Sequence, residues 1–142
     1  MLTDFGFTHV ATTSLEMLVE KNTTSFMAPE LLLPTKFGLD KEMPSKEADI
    51  YALGMTVYQV LTGERPFFSK REPEVIHAVI SGERPPKPEN ADIIGMTKAV
   101  WDLLEVCWRE DRATRPNIAH VLETFYDLVD EGRTESMLVQ CE

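Results

Sequence analysis

One stretch constrains the fold of this chain more than any other: SKEADIYALGMTVYQVLTG, from Ser45 to Gly63. Ser45 brings a hydroxyl that accepts from a free backbone N–H at a helix start, acids follow in the first turn, and Gly63 supplies the stop. Between Ala48 and Leu61 the apolar residues run nearly all the way round the helix instead of along one stripe. Such a helix belongs in the middle of a protein, with neighbours on several sides. The rest of the fold has to wrap it.

The neighbours also read as helices. EPEVIHAVISG gives a short amphipathic helix closed by Gly82 and a proline cluster. In TKAVWDLLEVCW, Val100, Trp101, Leu104, Cys107 and Trp108 recur at helical spacing, so the two tryptophans read as core. The last helix is expected from Pro116 to Val129, with Ile118, Val121, Leu122, Phe125 and Leu128 facing inward. From Glu131 the chain reads as a flexible tail. Upstream, APELLL is one helical turn opened by Pro29 and stopped before Pro34. Residues 3 to 22 show no sustained period and read as a loop. No repeat and no strand-rich region is visible, and the fold class is mainly α.

A chain of 142 residues with 43% hydrophobic and 27% charged residues is a soluble globular domain or part of one. Its formal charge is −10 and its basic residues never cluster beyond Lys70-Arg71, which argues against nucleic acid or an acidic membrane surface as partner. Cys107 and Cys141 make no metal-ligand spacing, and Cys107 sits in an apolar helical pattern. Two separated thiols fit a reducing compartment, and no signal peptide or membrane-length apolar run appears, so an intracellular, cytoplasmic or nuclear, location is expected. His9, His77 and His120 are scattered, without a nucleophile nearby in sequence.

Four short motifs then appear in a fixed order. Asp4-Phe5-Gly6 comes first, and alone it reads as a plain turn. FMAPE follows at Phe26 to Glu30, then EADIYALG with Asp49 and Gly54, then CWREDRATRP ending in Arg115-Pro116. Together they resemble a eukaryotic protein kinase domain from its magnesium-binding triplet to its end. The resemblance spans about residues 2–130: an activation segment and Ala-Pro-Glu turn in 1–34, then a helical subdomain in 45–130 that is similar to the kinase C-terminal lobe. The Cys-Trp and Arg-Pro pairs are similar to the tyrosine-kinase-like branch. Asn22-Thr23 stands where serine/threonine kinases carry Gly-Thr, with Asn22 and Phe26 as departures from the usual Gly and Tyr or Trp.

The resemblance implies roles. Asp4 becomes a magnesium ligand, Phe5 packs inward to set its direction, and Gly6 lets the backbone turn, so Asp4, Phe5 and Gly6 form the ATP and Mg2+ side of the site. Thr23 becomes the hydroxyl that bonds the catalytic aspartate and places the substrate. Glu30 and Arg115 pair as a buried ion pair, although a solvated surface is the commoner fate of both residue types. Asp49 bonds backbone amides of the catalytic loop. Thr12, Thr13, Ser14, Thr23, Thr24 and Ser25, as a group in the activation segment, are candidate phosphorylation sites. The partner implied is a protein.

The 142 residues contain no Gly-rich phosphate loop, no Val-Ala-x-Lys strand and no His-Arg-Asp loop. Phosphoryl transfer depends almost wholly on positioning and charge stabilisation. The chain alone is therefore expected to be inactive, and the helix around Asp49 to be left partly bare. Three readings follow: part of a serine/threonine-type kinase, a catalytically dead kinase-like binding module, or an unrelated helical domain with chance triplets. The order of the four motifs argues against the third, and the first is favoured.

Overall fold

The computed structural model of the protein describes residues 23–140. Among them there is no strand. A 3-10 turn at Thr24–Phe26 leads into the helical turn α1, Pro29–Leu32, with Pro29 in its first position. A second 3-10 turn, Pro34–Phe37, ends on Gly38, whose φ of 72° is open to glycine at no steric cost.

The apolar helix forms as α2, Lys46–Thr62. Its start is fixed by the Ser45 hydroxyl, which accepts from the Ala48 N–H at 3.1 Å. Its end is fixed by Gly63 at φ 73°, whose N–H donates to the Gln59 carbonyl at 2.8 Å. Ala48, Tyr51, Met55 and Tyr58 are buried along one side. The opposite side is not wrapped by the described residues: Val60 is 75% exposed, and Leu53, Val57 and Leu61 are only half-buried.

Helix α3, Glu72–Ile80, buries Val75, Ala78 and Val79. Helix α4, Lys98–Cys107, begins at Thr97, whose hydroxyl accepts from Val100 N–H. It buries Val100, Leu103, Leu104 and Cys107 against α2. The close approach depends on Gly54, where an added Cβ would lie 2.5 Å from Trp108 Nε1 and 3.0 Å from Cys107 Cβ. Trp108 is buried and meets the rings of Tyr58 and Trp101 edge-on at 5.8 and 5.7 Å. Trp101 itself is half-buried.

A 3-10 turn at Arg112–Thr114 precedes helix α5, Ile118–Gln140. Here the sequence reading needs correction at both ends. Pro116 lies before the helix, and Asn117 caps it through a side-chain oxygen that accepts from the His120 N–H at 2.9 Å. The helix then continues past Val129 to Gln140, because Arg, Glu, Met, Leu and Gln after Glu131 favour helix and outweigh Gly132 and the weaker formers Thr134, Ser136 and Val139. The inward face also differs. Val121 is buried and Phe125 and Leu128 are half-buried, but Ile118 and Leu122 are 53% and 48% exposed. No helix of the described residues is long and apolar enough to cross a membrane.

Candidate functional site

The site is built where the 3-10 turn at Thr24–Phe26 and α1 meet α2 and the loop before α5. Ala28 and Pro29 are buried, and they carry Glu30 into the body of the molecule, where it is 1% exposed. Arg115 reaches it from 85 residues further along the chain. Its two terminal nitrogens donate to the two carboxylate oxygens, Nη1 to Oε1 at 2.7 Å and Nη2 to Oε2 at 2.9 Å. The fork-to-fork geometry is the strongest that this pair of groups can make. The remaining donors are also used: Nε donates to the Arg109 carbonyl at 2.9 Å and Nη1 to the Glu47 carbonyl at 3.0 Å. A buried guanidinium is tolerated only when it is satisfied in this way.

The Tyr51 ring lies beside that guanidinium, 5.2 Å from its carbon, and Arg84 stands at the same 5.2 Å from the ring. Arg84 is itself held by the Trp108 carbonyl at 2.8 Å. Burial holds the Tyr51 phenol protonated, pushing its pKa up to about 12, although Arg84 and Arg115 pull the other way. Among the described residues its hydroxyl has no hydrogen-bond partner. Burial likewise pushes the Cys107 thiol up to about 11, which makes it a packed side chain and not a nucleophile.

Thr23 is exposed at the start of the turn. Asp49, in the first turn of α2, is exposed, and its side chain makes no hydrogen bond or ion pair among the described residues. Thr23 and Asp49 share one cleft of about 240 Å3, together with Phe26, Met27, Leu31 and Pro44. Thr24 and Ser25 are buried, at 6% and 4% exposure. Of the candidate phosphorylation sites, these two are therefore largely covered in this structure. Thr24 Oγ1 donates to Glu72 Oε1 at 2.9 Å, and a phosphate there would stand against that carboxylate.

The structure thus brings Glu30 to Arg115, Thr23 to Asp49, and Gly54 to Trp108. Asp4, Phe5, Gly6, Thr12, Thr13 and Ser14 lie outside the described residues. Among those described, no group of three or more His, Cys, Asp or Glu could hold a metal ion. What these residues can do is bind and orient. Tyr51, Arg84 and Glu72 went unnoticed in the sequence, because each looks like an ordinary member of a helix or loop.

A helical body with an Ala-Pro-Glu turn locked into it by a buried ion pair is consistent with the C-terminal lobe of a protein kinase domain. The protein kinase domain family matches residues 1–126, and the chain belongs to that family as part of such a domain. The serine/threonine-protein kinase STY17 of Arabidopsis thaliana is 30% identical over 129 residues, covering 90% of this chain and 20% of that kinase. The serine/threonine/tyrosine-protein kinase HT1 of the same plant is 31% identical over 134 residues, 91% of this chain and 31% of that kinase. Ephrin type-A receptor 8 of Mus musculus is 36% identical over 86 residues, 60% of this chain and 8% of the receptor. The chain therefore spans less than a third of the length of each of these relatives.

Proposed function

We propose that these residues are the substrate-side part of a serine/threonine-type protein kinase, which in full context binds ATP with magnesium and transfers the γ-phosphate to protein. The observation that carries this reading is the bidentate Glu30–Arg115 pair, at 2.7 and 2.9 Å, which fixes the turn bearing Thr23 to the helical body. In this reading Thr23 orients the acceptor hydroxyl, and Asp49, free to reach out of the cleft, holds the catalytic loop. Asp4 would supply the metal carboxylate. Without the phosphate loop, lysine strand and His-Arg-Asp loop, the 142 residues alone transfer no phosphate.

The test is transfer from radiolabelled ATP, with magnesium, to a generic protein substrate. The isolated chain should give none above a blank. A chain that also carries the three absent motifs should label serine or threonine, and Thr23→Ala in it should lower kcat/KM by about 10²-fold through misplacement of the acceptor. Transfer by the 142 residues alone, or labelling of tyrosine only, would sink the proposal.

One observation favours a second reading, a protein-binding module without catalysis. Val57, Val60 and Leu61 of α2 face Phe125, Leu128 and Val129 of α5 across an apolar groove of about 400 Å3. Apolar surface of that kind marks a place where protein docks. Tight, specific binding of the isolated chain to a purified protein partner, abolished by Val60→Lys, would move the weight to this reading.

A further inference from the structure

Helix α3 is tied to the segment bearing Thr23 at both of its ends. At its C-terminal end Lys36 Nζ donates to the Ile80 carbonyl at 2.5 Å and to Glu110 Oε1 at 3.0 Å. At its N-terminal end the acids divide the work. Glu74 turns back to accept from the Arg71 N–H at 2.7 Å, closing the cap. Glu72 turns outward and accepts from Thr24 Oγ1 at 2.9 Å, a contact across 48 residues of sequence. Thr24 is 6% exposed, so its hydroxyl has little access to water as an alternative. Losing the acceptor of a buried donor costs more than an exposed bond would.

We propose that Glu72 is a positioning residue: its bond to Thr24 latches the turn Thr24–Phe26 onto the start of α3 and thereby sets where the neighbouring Thr23 stands. The functional meaning rests on the reading of Thr23 given above, but the latch itself is a matter of geometry. Anything that shifts α3, such as a protein docked on its exposed outer residues, would move Thr23 with it. Phosphorylation of Thr24 would act in the opposite sense to an ordering phosphate, since it places about two negative charges against a carboxylate.

The test is amide hydrogen exchange, read by mass spectrometry on the isolated 142-residue chain, which needs no activity. Its outcome is thus independent of the transfer assay. Glu72→Ala and Thr24→Val should each speed exchange of residues 24 to 27 by about fivefold, the scale of one hydrogen bond. The double variant should do no more than Thr24→Val, which already removes this contact. Glu72→Gln, which keeps an acceptor oxygen, should restore protection. Unchanged exchange at residues 24 to 27 in both single variants, additive effects, or a Gln variant as fast as the Ala variant would overturn the latch. If Glu72→Ala loosens α3 as well, Thr24→Val decides alone, since it leaves the helix acid in place. A local rise then supports the latch, and none overturns it.

Discussion

Residue by residue, the most constrained group among the described residues is the Arg115 guanidinium, whose side chain is fully buried against Glu30 and three backbone carbonyls. Glu30→Ala leaves that charge without its counter-ion, and the expected loss is about 3–5 kcal/mol, read from denaturant unfolding. A loss below 1 kcal/mol would mean that the pair is solvated. Tyr51 behaves in the opposite way, because its hydroxyl has no partner among the described residues. Tyr51→Phe should therefore leave stability at neutral pH within about 1 kcal/mol of the parent, or above it. The sign of its pH dependence follows from a folded-state pKa of about 12 against an ordinary value of 10.0. Below 10 the phenol is neutral in both states and its contribution is intact. As the pH rises from 10 to 12 the unfolded chain ionises first, and stability is lost. Stability curves of the parent and the Phe variant should diverge over that window, with the parent falling faster. The Glu30–Arg115 pair was legible only through motifs, since nothing local links residues so far apart. The burial of Thr24 and Ser25 was not legible at all, because a run of hydroxyl residues looks like any polar loop until a helix covers it.

At the level of the elements, the sequence spoke most clearly where chemistry marks a boundary. Ser45, Gly63 and Thr97 each occupy a position that few other residues fill well, and each helix end falls where its cap demands. The last helix shows the limit of that logic. Pro116 was a plausible first residue, but Asn117 satisfies a free N–H directly, and the stronger cap sets the start. The far end has no stop signal apart from Gly132, which the helix passes through with open space around it. Gly132→Ala should therefore stabilise this helix by about 0.5–1 kcal/mol. Helicity by circular dichroism together with the unfolding midpoint would check it, and a drop in either would mean that the helix is not continuous there. Outward Ile118 and Leu122 fit the helical period as well as Val121 does. Periodicity identifies an apolar face, but it cannot say which part of that face is covered.

For the molecule as a whole, the described residues cover one side of α2 and leave the other lined by Val57, Val60 and Leu61. An apolar groove left open by the described residues is expected to favour association of the isolated chain. Val60→Lys should lower the average mass measured by sedimentation at a fixed concentration, with the unfolding midpoint changed by little, because Val60 is 75% exposed. An unchanged mass would show that this groove is not what the chain associates through. The fold class was legible because four motifs and one apolar helix agree with one another. The groove was foreseen only as a partly bare helix, and its second wall on α5 emerged from the tertiary arrangement.

The 85-residue span between Glu30 and Arg115 also bears on the order of assembly. The guanidinium needs α1, α2 and the loop after α4 in place before all of its partners exist, so its contacts are expected to close late. Interactions absent from the folding transition state act on the rate of escape, not on the rate of arrival. The pair is then a kinetic fastener. In stopped-flow measurements Glu30→Gln should unfold faster with its refolding limb almost unmoved, and slowed refolding would mean that the arginine's contacts form before the transition state.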